Sequence, residues 1–359
     1  MGCDKGPMES SSGQLYLDTL FPRLALGSFP TPLQHLPRLG AALGHDALYV
    51  KRDDLSGLSL GGNKTRSLEY LLGDALRQGA DTIVTAGGLQ SNLCSLTAAA
   101  CAKAGLRCVL VHNDDRPRLL DGNMLLNHLF GAVSVFIGRK SEEERAVEVE
   151  RQAAALRTVG ARPYVIHNGA SVPMGALGYA NAALELHQQS MEMGLVLCHV
   201  AIVGAMGGTA SGFLFGASLL KEPFHVHVLS VEYPREELRR RMSGLLSGIT
   251  DLTGLRPRHN PWDVATIHDE YLGGGYGIPT EESLEALRLL PETEGIFLEN
   301  VYTAKTVAGF MGLVRRGIIP RDEAGCFIHT GGMAALFAQR YDSLGMLSAM
   351  VKTSSLGKT

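Results

Sequence analysis

The chain has 359 residues, 45% hydrophobic and 19% charged, with 33 Lys and Arg against 36 Asp and Glu for a net charge of −3. That length exceeds one ordinary core and predicts two lobes. The near-neutral balance excludes a nucleic-acid-binding or anionic-membrane-binding face, and no apolar run approaches the ~20 residues of a membrane span.

Residues 1–13 are small and polar and are expected to be disordered. They lack a basic region followed by an apolar one, so no signal peptide is expected, and Gly6 breaks the acylation motif that "MGCDKG" suggests. From residue 81 the chain alternates strand, glycine turn and helix. The pattern predicts a strand at 81–88, a helix at 91–105, a strand at 107–112, a helix at 124–132 and a strand at 133–138. A helix at 141–160 follows, with Ser141 as N-cap and Glu144 completing a capping box. A strand at 163–167, a helix at 179–194, a strand at 198–208, a helix at 209–221 and a strand at 225–232 come next. Near the end, "CFIHTGG" (326–332) is a strand and turn before a helical "MAALFAQRY". This alternation implies parallel sheets covered on both faces.

The six cysteines, Cys3, Cys94, Cys101, Cys108, Cys198 and Cys326, form no Cys-x-x-Cys pair. They read as core thiols of a reducing, cytoplasmic compartment, with Cys94 and Cys101 on one packed helix face and no metal site. The charge run from 140 to 151 reads as a solvated helix face.

Every glycine cluster in this series follows a strand, where α/β sheets place ligands. "GAMGGTASG" (204–212) closes a strand and opens a helix, so converging N–H groups and the helix N-terminus suit an anion, with Thr209 adding a hydroxyl. No Gly-Lys-Ser/Thr is present, which excludes a Walker loop. The glycines do not match Gly-x-Gly-x-x-Gly, but Glu232 ends the next strand as a ribose-binding acid would. A dinucleotide site and a bare turn therefore stay open beside a phosphate site. In "GGLQSN" (87–92), Ser91 and Asn92 stand either to cap a helix or to hold a carboxylate.

In "SLGGNKTRSLEYL" (59–71), Lys64 directly follows Gly61, Gly62 and Asn63. It is either a solvated first-turn lysine or one held in a cleft for covalent chemistry. Lysine, carboxylate turn and phosphate turn are together what a pyridoxal phosphate enzyme needs. Arginine cannot replace that lysine, because it does not lose its proton.

The chain resembles the D-cysteine desulfhydrase and 1-aminocyclopropane-1-carboxylate deaminase family of fold-type-II pyridoxal phosphate enzymes. The resemblance runs from "FPRLALGSFPTPLQHLPRLG" (21–40) through the segment 49–92, "GALGY" (175–179), "YGIP" (276–279) and "EGIFLENVYTAKTVAGF" (294–310) to "CFIHTGGMAALF" (326–337). It implies an α/β, tryptophan synthase β-like fold of two domains, each with a mainly parallel sheet flanked by helices. A large cofactor domain (1–65 with 176–359) would surround a small inserted one (66–175).

By position, Lys64 matches the lysine that bonds the cofactor, and Asn92 the group on its phenolic oxygen. Asn63 falls among the cofactor-binding residues, Gly207, Gly208 and Thr209 match the phosphate turn, and Thr330 the residue facing the pyridine nitrogen in the desulfhydrase branch. Ser91, Asn92, Leu93, Tyr276 and Tyr302 match the substrate side. In the deaminase branch a glutamate follows the second tyrosine, whereas Thr303 stands here. That implies a weaker electron sink and α,β-elimination of a small β-substituted amino acid, D-cysteine first, over opening an unactivated ring. L-Cysteate is the alternative substrate. The chain departs from the desulfhydrase pattern at Leu93, where histidine is usual, at Glu299, Asn300 and Ala304, and at the start of the phosphate turn. A homodimer is implied.

Overall fold

The computed structural model describes Leu17 and residues 19–338. The stretch 1–13, Cys3 and the end of "MAALFAQRY" lie outside the described residues. The chain forms β1 (Leu33–His35), α1 (Pro37–Leu43), β2 (Leu48–Lys51), α2 (Lys64–Arg77), β3 (Thr82–Gly87), α3 (Asn92–Ala104), β4 (Arg107–His112), α4 (Gly122–Leu129), β5 (Val133–Phe136), α5 (Glu142–Thr158) and β6 (Pro163–Ile166). It continues as α6 (Pro173–Glu192), β7 (Leu197–Gly204), α7 (Gly208–Leu219), β8 (His225–Ser230), α8 (Arg235–Thr253), β9 (Ala265–His268), α9 (Glu281–Glu294), α10 (Thr303–Arg315), β10 (Ala324–Ile328) and α11 (Met333–Leu336).

Two sheets result. One has six strands in the order β1-β2-β10-β7-β8-β9, the other four in the order β5-β4-β3-β6. Every pairing is parallel except β1 with β2. Apolar side chains fill both faces of each sheet. Phe213, Phe215, Val226 and Ile202 pack on one face of the large sheet, and Val50, Ala201, Phe310 and Phe327 on the other. Leu68, Leu72, Cys94, Cys101 and Leu110 pack on one face of the small sheet, and Val84, Val109 and Val149 on the other.

Local signals set several boundaries. The capping box of Ser141 and Glu144 opens α5, and Gly105 ends α3 in a left-handed conformation. α6 begins at Pro173, six residues earlier than the expected 179. Pro173 is an N1 residue there, and glycines inside the helices are points of close contact. A Cβ on Gly178 would meet the Arg66 carbonyl oxygen at 2.4 Å, and one on Gly212 the Ala176 oxygen at 2.0 Å. α6 thus lies backbone to backbone against α2 and α7, and so anchors two helices that reach the site.

Five described cysteines are unpaired, four of them buried. No helix among the described residues is long and apolar enough to cross a membrane.

Candidate active site

Lys64 is the first residue of α2. The turn before it leaves little freedom. Gly61 has φ +73°, and a Cβ there would sit 1.8 Å from the Asp54 carbonyl oxygen, so only glycine fits. Gly62 forms a β-bridge with Gly331, and the Asn63 N–H donates to the Thr330 oxygen at 3.0 Å. The lysine is thereby tied to the turn that follows β10.

From the other side, Arg66 anchors the helix. Its guanidinium donates to both oxygens of Asp53 at 2.8 Å and to both of Glu185 at 2.9 Å. Thr31 and Tyr179 also donate to Asp53, and the Lys51 ammonium contacts Glu185 and Gln189. Burial alone would raise Asp53, but Arg66, Lys51 and the Tyr179 hydroxyl together outweigh it and hold the carboxyl down at about 2.

One cavity gathers most of the sequence-derived residues: Asn63, Lys64, Ser91, Asn92, Leu93, Gly207, Gly208, Thr209, Tyr302 and Thr330 all line it. Lys64 Nζ donates to the Gly169 oxygen at 2.6 Å. Burial pushes its pKa down to about 8, against an opposing pull from Glu232. The other lysines near these motifs are committed elsewhere: Lys51 to Glu185, and Lys305 to the carbonyls of Leu272 and Gly275.

The turn into α7 has the chemistry of a phosphate cradle. Gly207 takes φ +94°, and a Cβ on Gly208 would meet Ser171 at 2.7 Å. The first N–H groups of a helix lack intrahelical partners. Asn63 Nδ2 donates to Thr209 Oγ1 at 2.9 Å, which leaves the Thr209 hydroxyl proton to donate to an anion. Ser91 caps α3, accepting from the Cys94 N–H at 3.3 Å, and its own proton stays available. Asn92 Oδ1 accepts from Asn123 Nδ2 at 2.8 Å, so Asn92 offers its amide N–H groups. A Cβ on Gly332 would sit 2.8 Å from that amide nitrogen. An amine that readily loses its proton, helix-end N–H groups with a hydroxyl, an amide donor and the Thr330 hydroxyl make a donor set that fits pyridoxal phosphate.

Tyr302 lines the cavity, whereas Tyr276 stands behind it. Its ring is half exposed, but its hydroxyl contacts the Tyr302 hydroxyl, with the rings 5.7 Å apart. Burial holds both phenols well above their ordinary range, so both keep their protons. Thr303 is turned away, hydrogen-bonded to Glu299. Glu299 accepts from the N–H groups of Val301, Tyr302 and Thr303 and so caps α10.

Sequence reasoning left out Gly169, Ser171 and, behind Asn92, Asn123, and it offered Glu232, two residues past β8, only as a ribose-binding acid.

Thr209→Val is expected to weaken cofactor retention by about 1–3 kcal/mol, the scale of a lost hydrogen bond to a charged group. It also strands the Asn63 amide. Titrating cofactor into the stripped protein checks this, and unchanged affinity would count against the cradle.

Comparison with known proteins points to the same cofactor. The profile of the family described as pyridoxal-phosphate dependent enzyme matches residues 24–331. D-cysteine desulfhydrases of Salmonella paratyphi B and Salmonella choleraesuis are 38% identical over 327 residues, covering 89% of this chain and 97% of theirs. A crystal structure described as an ACC deaminase homologue superposes with a TM-score of 0.84 at 35% identity, covering 93% of this chain and 98% of that one. A threonine deaminase from T.th. shares the fold, with a TM-score of 0.60 at 20% identity over 84% of this chain and 92% of its own.

Proposed function

The chain belongs to the pyridoxal-phosphate dependent enzyme family, and from that premise we propose that it is a lyase that eliminates the β-substituent of a small amino acid. With D-cysteine and water the products are pyruvate, ammonia and hydrogen sulfide. The observation that carries this reading is Lys64: a half-buried lysine, free of any carboxylate hydrogen bond, in one cavity with a phosphate cradle and a carboxylate-binding turn.

Thr209 and the N–H groups of the 207–210 turn would hold the cofactor's phosphate, Asn92 its phenolic oxygen and Lys64 its aldehyde carbon, with Thr330 facing the ring nitrogen. Bound pyridoxal phosphate supplies an electron sink for negative charge at Cα. Ser91 and the N–H groups after it orient the substrate carboxylate. Lys64 Nζ, once released, takes the Cα proton. Tyr302, backed by Tyr276, faces the β-substituent with a phenol that burial makes a weak acid, so its help to the leaving group is small. Lining by Thr330, with Thr303 turned towards Glu299, supports elimination of a good leaving group over opening an unactivated ring. The relatives named for D-cysteine support sulfide as that group.

The division into 1–65 with 176–359 and an inserted 66–175 belongs to this proposal. Each sheet is built wholly from one side of that division, which supports it. Unpaired thiols support a cytoplasmic setting. The homodimer rests on the resemblance, and light scattering tests it.

A substrate screen measuring pyruvate, with sulfide and sulfite counted separately, tests the reaction. Leu93 places an apolar side chain in the cavity where a histidine would offer a proton, so substrates should rank by leaving group. β-Chloro-D-alanine is expected to turn over faster than D-cysteine, and serine hardly at all. Leu93→His is expected to narrow the gap in kcat/KM between cysteine and β-chloroalanine. A wild type that handles serine as well as β-chloroalanine, or an unchanged ratio in the variant, contradicts this account.

A further inference from the structure

Glu232 is a pocket residue for which the proposed reaction has no use. It and Lys64 are the two charged side chains lining the cavity. The other acids around the start of α2 are held by cations of their own. Asp53 and Glu185 share Arg66 and Lys51, Asp54 is held by Arg52, and Glu69 by Arg23. His329, 3.8 Å from Asp54, is fully buried and pushed towards its neutral form. Tyr302 and Tyr276 keep their protons. Burial raises the Glu232 carboxyl, opposed by Tyr233 beside it, Arg241 of α8 and Arg145 of α5, while Glu142 of α5 adds to the rise.

We propose that Glu232 tunes the base strength of Lys64, its carboxylate acting across the cavity as a negative charge. The inference rests on Lys64 being the base of the reaction proposed above. A lysine buried without a nearby negative charge can fall to about 5–6, too weak a base for a Cα proton, whereas one of ordinary affinity stays protonated at neutral pH. The neutral Arg66–Asp53–Glu185–Lys51 group beneath α2 adds no net charge in either direction. Glu232 is left to place the amine between these limits. It is a positioning charge for the proton, not a group that touches substrate.

The test is competitive acetylation of the full-length chain stripped of cofactor, with trace acetic anhydride across a pH series and mass spectrometry of the Lys64 peptide. The wild-type midpoint is expected near 8. Glu232→Gln is expected to lower it by about one unit, the order expected from removing one charge facing the same cavity in an effective dielectric of ~20. Glu232→Asp should stay near wild type, and Glu232→Ala should move with Gln. The acid limb of the kcat profile should shift down with the midpoint, which a purely structural role would not produce. A Gln midpoint equal to wild type, with the cofactor on Lys64, overturns this inference alone. A reduced cofactor found on another lysine overturns the proposed function and this inference together.

Discussion

Arg66→Met is expected to lower folding stability by about 3–5 kcal/mol, the scale for breaking a buried ion group by removing one partner. The size follows from what is left behind. Arg66 is 4% exposed, Asp53 0% and Glu185 5%. With the guanidinium gone, Lys51 alone faces two carboxylates. Asp53 retains hydroxyl donors from Thr31 and Tyr179 but loses the cation that offsets its burial. The sign with pH is fixed as well. A carboxyl held at about 2 against its ordinary 3.8 contributes stability that is fully present above 3.8 and is lost as pH falls towards 2. In the methionine variant that share of the acid limb should disappear. Urea midpoints from pH 2 to pH 6 check both effects, and a variant within about 1 kcal/mol of wild type would show that the network does not hold α2.

Lys64→Ala is expected to cut turnover of a β-substituted amino acid by at least about 10³-fold. The variant loses both the covalent anchor and the base, and base catalysis alone is worth about 10²–10⁴. The phosphate cradle and Asn92 remain, so cofactor should still bind, less tightly. Because the lost function is a proton acceptor at one position, a small exogenous amine should restore part of the rate. Turnover with and without ethylamine makes the measurement. Near-wild-type turnover in the alanine variant would remove Lys64 from the chemistry.

What was legible in the sequence follows the punctuation of the chain. Lys64, Ser91, Asn92, Gly207, Gly208, Thr209 and Thr330 each stand at a strand-turn-helix junction, where glycine and capping residues mark the backbone, and the fold brings them to one cavity. The alternation of strands and helices likewise announced two parallel sheets. Residues that reach the site by tertiary packing left no such mark. Asn123 comes from α4 to hold Asn92, and Ser171 comes from the turn before α6 to the start of α7. Glu232 was visible, but as a ribose ligand, because nothing local says that its strand ends opposite a lysine. Arg66 carries no local mark of its role. Its burial depends on Asp53 and on Glu185, 119 residues away.

The central claim is that Lys64 carries the cofactor. The direct measurement is borohydride reduction of the purified, cofactor-loaded protein, followed by peptide mapping of the phosphopyridoxyl group. The account predicts a visible absorbance band that reduction abolishes, with the label on Lys64. A label on Lys51 or Lys305, or a protein that takes up no label at all, would contradict it.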